Sequence, residues 1–201
     1  MSVKFGVLAI QGDVRENVDS LKLALEEAGI DGTVHEVWSP EDISTLDGLV
    51  IPGGESTTIG QLSLANDSLK EIKEKIQAGM PVLGICAGMI LLSNNASDRI
   101  VSMKQPLLEV LDVTVKRNAF GRQGKSFEAD ISLDGMGVSK FNGIFIRAPS
   151  ITHTGPDVEI LSKFDDMPVA VKNGNIIGTS FHPELAGDLA LHKYFVSLAK
   201  N

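Results

Sequence analysis

The stretch that most constrains this chain is Pro81 to Leu92, PVLGICAGMILL, with the sequence's single cysteine, Cys86, at its centre. Pro81 to Ile85 make an apolar run of strand length, too short for a helix. Past Cys86 come Ala87, Gly88 and then the helix formers Met89 to Leu92, so the run predicts a strand, a sharp turn and a helix. Gly84 and Gly88 flank the cysteine in a G-x-C-x-G pattern. That is the thiol counterpart of the G-x-S-x-G nucleophile elbow, whose tight strand-to-helix turn lifts the central side chain out of the sheet. A thiol so placed meets the positive end of a helix dipole, which favours the reactive thiolate. The same residues equally describe a buried cysteine packed beside two glycines, and the stretch alone does not separate the two.

An elbow of this kind belongs to an α/β sheet, and the first half of the chain agrees. Val3 to Ile10 reads as a buried strand, followed by the loop Gln11-Gly12-Asp13. Asp13, with Glu16 three residues on, predicts a capped helix whose apolar face is Val14, Val18, Leu21, Leu25 and Ala28, closed by Gly29. Thr33 to Trp38 is a second strand and Ser39 to Asp42 a one-turn helix start. Leu49 to Ile51 is a third strand, running straight into Pro52-Gly53-Gly54-Glu55-Ser56. Asp67 or Ser68 caps a helix from Leu69 to Ala78, with Leu69, Ile72 and Ile76 as its apolar stripe. This alternation predicts a mostly parallel central sheet flanked by helices on both faces. Ligands of such sheets bind beyond the carboxyl ends of the strands, so the PGGES loop and Cys86 are expected to share one crevice.

The second half changes character. Val113 to Val115, Ser126 to Leu133, Gly143 to Ile146, Val158 to Phe164 and Val169 to Val171 read as strands. Asn173-Gly174 is a hairpin turn leading into Ile176 to Phe181, so an antiparallel meander added to the sheet is expected. Leu185 to Ala199 reads as a closing helix with Leu189, Tyr194, Phe195 and Leu198 turned inward. No repeat, low-complexity tract or linker interrupts residues 1–201, which read as a single domain. Its 43% hydrophobic and 22% charged residues are those of an ordinary soluble domain, and a net charge of −8 argues against a nucleic-acid partner. One cysteine excludes an internal disulfide and disfavours a cysteine-based metal site. The apolar run Phe5 to Ile10 is too short for a signal-peptide core, and nowhere do eighteen apolar residues run together. A cytoplasmic protein without membrane contact, metal or cofactor is the expectation.

A thiol nucleophile needs a base. His35 in a strand and His192 on the last helix have no local partner pattern, and His153 falls in an expected loop from Ile151 to Thr154. His182 differs, because it follows a strand directly and reads His182-Pro183-Glu184. The residue before proline is held extended, and positions i and i+2 of an extended segment face the same side. The Glu184 carboxylate can therefore orient the imidazole and stabilise its cation, as the acid of a catalytic triad does. The paired glycines Gly53 and Gly54 supply backbone N–H groups that, with that of Ala87, suit an oxyanion hole. A plain Gly-rich turn or a phosphate cradle are the rivals for that loop, but neither G-x-x-x-x-G-K-[ST] nor G-x-G-x-x-G is present.

PGGES, GICAG and a late His-Pro-Glu, in that order, resemble the class I (triad) glutamine amidotransferases, a family of flavodoxin-like three-layer fold. LAIQGDVREN, PGGESTTIG, GICAGMILL, VKRNAFGRQ with SFEAD, FIRAP and SFHPE narrow the resemblance. Together they are similar to the glutaminase subunits of two-component pyridoxal 5′-phosphate synthases. The resemblance implies Cys86 as nucleophile, His182 as base and acid, and Glu184 as its orienting carboxylate. It implies glutamine held by Gly54, Glu55, Ser56, Arg117, Ile146 and Arg147. It also implies a (β/α)₈-barrel synthase partner in a hetero-oligomer, receiving ammonia through a channel, with the Gln11-Gly12 loop in the docking region. Asn17, where the family usually has histidine, and the segment Asn94 to Pro106 depart from the pattern. A triad glutaminase serving another synthase, or a thiol hydrolase of the same architecture, are the alternatives.

Overall fold

The computed structural model describes residues 2–96, 105–117 and 126–199. Its centre is a seven-stranded sheet. Five parallel strands make its body: β1 (Val3–Leu8), β2 (Gly32–Val37), β3 (Gly48–Ile51), β4 (Val82–Ile85) and β12 (Ile176–Thr179). β10 (Glu159–Phe164) and β11 (Met167–Asn173) extend it antiparallel, giving the order β10-β11-β12-β4-β3-β1-β2.

Every residue of β3 and β4 is buried, as strands covered on both faces require. Their side chains alternate between two apolar cores. Val50, Leu83 and Ile85 face the core shared with α1 (Val14–Glu27), α6 (Ala190–Leu198) and the ribbon of β7 (Phe127–Leu133) and β8 (Val138–Phe145). Leu49, Ile51 and Val82 face the opposite core. There they meet α3 (Ser56–Ala65), α4 (Ser68–Gln77) and α5 (Ala87–Leu92). The short α2 (Pro40–Ser44) sits between β2 and β3, with Ser39 Oγ accepting from the Asp42 N–H at 3.2 Å. Among the described residues no helix is long and apolar enough to cross a membrane.

The expected architecture is present, with local differences. α3 is an additional helix; its Ser, Thr and Gly content gives weak intrinsic propensity, and Ile59 packing inward supplies what propensity does not. The expected meander is divided: only β10 to β12 join the main sheet. β5 (Ser93–Ala96), β6 (Leu111–Lys116) and β9 (Ser150–Thr154) form a second sheet, and β7 and β8 pair separately. His153 lies in strand β9, not a loop, and is exposed. The closing helix begins at Ala190 rather than Leu185. A 3₁₀ turn spans Pro183–Leu185, Gly187 adopts φ +69°, and Asp188 Oδ1 accepts from the Ala190 N–H at 2.7 Å. The later start turns Leu191, His192, Phe195 and Val196 inward, while Leu189, Tyr194 and Leu198 are only partly covered. Residues 97–104 of the departing segment and Asn118 to Gln123 of the VKRNAFGRQ motif lie outside the described residues.

Candidate active site

Four neighbouring strands, β12, β4, β3 and β1, release their carboxyl ends into one cleft of about 360 Å³. β4 delivers Cys86, β12 leads to His182, β3 runs into the PGGES loop and β1 into Gln11 to Asp13. A parallel sheet aligns such ends along one edge, which is why residues far apart in sequence converge.

Cys86 occupies the elbow with φ +50° and ψ −96°, a backbone state that an L-residue holds only when its surroundings dictate it. Those surroundings are visible. The Cys86 N–H donates to the Thr179 carbonyl at 2.7 Å, and its carbonyl accepts from the Ile90 N–H at 3.2 Å. A side chain on Gly88 would strike the carbonyl of Ile51, and one on Gly84 would strike Leu92 and the Gly88 backbone. The glycines therefore permit strand, turn and helix to pack at backbone contact. The sulfur is 3.9 Å from the Ile146 carbonyl and opens onto the cleft. Ala87 is the first residue of α5, so its N–H has no partner within the helix. α5 is six residues long, which limits the dipole contribution expected at the thiol.

His182 is 2% exposed and its Nδ1 lies 2.8 Å from Glu184 Oε1, the i, i+2 contact expected of an extended His-Pro-Glu. Asp13 approaches the same nitrogen, Oδ2 to Nδ1 at 3.3 Å. Burial acts to lower the pKa of His182, but its contacts with Asp13, Cys86 and Glu184 prevail and push it up to about 12. Nδ1 is engaged by the acids, and Nε2 makes no hydrogen bond of ordinary geometry among the described residues. Asp13, His182 and Glu184 are also the one cluster of metal-ligand type among the described residues. A single proton on Nδ1 answers both carboxylates, so it reads as a hydrogen-bonded cluster.

The PGGES loop is held from β1. The Asp13 N–H donates to the Gly53 carbonyl at 3.2 Å, and the Glu55 N–H donates to Gln11 Oε1 at 2.7 Å. A side chain on Gly53 would collide with the His182 ring, so only glycine lets the loop lie against the imidazole. Gly54, Glu55 and Ser56 line the cleft; Gly53 sits behind it. Across the cleft, Glu55 bridges two arginines: Oε2 is 3.1 Å from Arg117 Nη2, and Oε1 is 3.5 Å from Arg147 Nη1. Arg117 Nη1 donates to Thr57 Oγ1 at 3.3 Å, and Gln105 Oε1 accepts from Ser56 and Thr57 at 3.1 Å each. The cleft thus pairs a thiol and imidazole at one end with one carboxylate between two guanidinium groups at the other.

A model of the SNO glutamine amidotransferase family matches residues 7–201. The chain belongs to that family. The family member of Nitrosopumilus maritimus described as pyridoxal 5′-phosphate synthase subunit PdxT is 62% identical over 201 residues, covering 100% of this chain and 98% of the relative. A subunit of the same description from Parafrankia is 48% identical over 198 residues, covering 98% and 94%. Among solved structures, a glutamine amidotransferase superposes with a TM-score of 0.86 at 42% identity, covering 98% of this chain and 99% of that one.

The structure brings together every site residue expected from sequence except Gly53, whose carbonyl accepts from the Asp13 N–H, and Glu184, which stands behind His182. Gln11, Asp13 and Ile90 line the cleft without having been foreseen as site residues. Asp13 reads in sequence as a helix cap, yet makes no side-chain cap bond; its carboxylate turns to His182 instead. Its position at the carboxyl end of a parallel strand was the available signal.

Proposed function

We propose that this member of the glutamine amidotransferase family is a glutaminase that supplies ammonia to a pyridoxal 5′-phosphate synthase. The observation that carries the reading is Cys86 on a strained elbow in the same cleft as the His182–Glu184 pair and the Glu55–Arg117–Arg147 group. Full-length identity to subunits so described supports the pathway.

Free glutamine carries an α-carboxylate and an α-ammonium. An arginine of the bridged group takes the carboxylate and Glu55 the ammonium, so substrate replaces ion pairs already in place. Ser56 and the backbone of Gly54 and Ile146 complete the pocket. Cys86 passes its proton to His182 and its Sγ attacks the side-chain amide carbon, while the N–H groups of Ala87 and the Gly53-Gly54 loop receive the developing oxyanion. The C–N bond breaks as His182 gives its proton to the departing ammonia, leaving a γ-glutamyl thioester. Water, deprotonated by His182, then attacks the thioester; glutamate leaves and the proton returns to sulfur. Glu184 holds the imidazole throughout. The ammonia passes to a barrel synthase that docks over the cleft in the cytoplasm, where the Gln11-Gly12 loop lies.

Ammonia release from glutamine, measured with and without the barrel synthase, tests both parts. Turnover that rises on addition of the synthase is expected. Strong hydrolysis indifferent to that partner overturns the pathway, and Cys86→Ala retaining turnover overturns the nucleophile.

A further inference from the structure

His182 Nδ1 is approached by two carboxylates from two different elements. Glu184 Oε1, on the turn that follows the imidazole, is at 2.8 Å; Asp13 Oδ2, on the loop ahead of α1, is at 3.3 Å. One acid suffices to orient an imidazole, so the second calls for an explanation. Asp13 is free to cap α1 and does not. Its backbone is pinned from both sides. The N–H donates to the Gly53 carbonyl at 3.2 Å, and the carbonyl accepts from Asn17 Nδ2 at 2.8 Å, with Asn17 fully buried. Those two bonds fix where the carboxylate begins, and a glycine at position 53 leaves the space through which it reaches the ring.

We propose that Asp13 is a positioning residue that shares His182 Nδ1 with Glu184, holding the ring protonated with Nε2 toward Cys86 and tying its charge to the Gly53 loop. The inference rests on the glutaminase reading only for its consequence in turnover. The titratable groups facing the ring are Asp13 from the loop, Glu184 from its own turn and Cys86 from the elbow. Glu55, Arg117 and Arg147, the other charged groups of the cleft, are engaged with one another. Asp13 is partly exposed, so its charge is screened more than that of Glu184, yet at this distance an anion still favours the imidazolium. Because the Asp13 N–H carries the Gly53 carbonyl, any displacement of that loop changes the partner of the imidazole as well.

The test is the titration of His182 in the full chain, followed by NMR of ring-labelled histidine, with the signal assigned by His182→Gln. Asp13→Asn keeps the size and the backbone N–H and removes the charge. Its His182 should lose the proton about one pH unit or more below wild type. The alkaline limb of glutamine turnover with the synthase should move down by the same amount. Identical titration in the two proteins, including both remaining protonated up to high pH, overturns the proposal. A cap or other structural role would lower thermal stability and leave the titration in place. If wild type turns over no glutamine while Asp13→Asn still shifts the titration, the glutaminase reading fails and the placement of Asp13 stands.

Discussion

His182 and His192 are both buried, 2% and 0% exposed, and they hold opposite protonation states. His182 meets Glu184 and Asp13 and its pKa rises to about 12; His192 is buried on the inward face of α6, and burial lowers its pKa to about 4. Neither ring nitrogen of His192 has a hydrogen-bond partner among the described residues. Burial alone therefore expels the proton, and only anions placed at the ring reverse that outcome. The difference separates an imidazole held between carboxylates from one that serves as packing.

The comparison breaks most visibly at His182. His182→Asn should cut glutamine turnover about 10³-fold, measured as ammonia release with the synthase present, since the proposed mechanism routes its proton transfers through this ring. A loss below tenfold would mean that the partnered histidine is not the acid–base group. Glu184→Gln keeps a hydrogen-bond acceptor and removes the charge, so a fall of about 10- to 10²-fold is expected. Unchanged turnover there would show that orientation alone, without the charge, is sufficient.

His192 tests the other side through stability. The folded chain keeps it neutral, while the unfolded chain takes up a proton below an ordinary value of 6.5. Its contribution is complete above pH 6.5, falls as pH drops toward about 4, and levels off below that. Between pH 7 and pH 5 the loss amounts to about 2 kcal/mol. His192→Leu should flatten that part of the pH–stability curve in urea unfolding while leaving turnover at pH 7 in place. A curve as steep as that of wild type would show that His192 is not the group responsible. His182 has the opposite sign: its folded pKa is raised, so its contribution is complete below 6.5 and is lost as pH rises toward the folded value.

The legible parts of the site were those set by local geometry. The Cys86 elbow follows from glycines two residues to either side, and the His182–Glu184 contact follows from an extended x-Pro-x segment. The less legible parts depend on distant packing. Asp13 carries a capping pattern that its side chain does not use. Nor did the sequence show that His192 is turned inward, because that depends on how α6 packs against α1, which the helix's own periodicity does not settle. α3 is not legible in sequence because Ser56, Thr57, Thr58 and Gly60 are poor helix formers, and its stability comes from the core it covers. The division of the later strands into the main sheet and two smaller ones turns on pairings between residues far apart in the chain. β6 with β9 and β7 with β8 are such pairings.

The sequence by itself determined the alternating α/β order, the thiol on its turn and the carboxylate two residues beyond His182. Each of these is written in neighbouring residues whose spacing dictates their geometry. The sequence put the PGGES loop and Cys86 in one crevice, but tertiary structure alone decided that the ends of β1 and β12 would join them and that Glu55 would lie between Arg117 and Arg147. It also decided that a second carboxylate would reach His182 while His192 would have none. The physical reason is that the charge on a buried imidazole depends on which groups the fold brings within a few ångströms, and those groups come from elements remote in sequence.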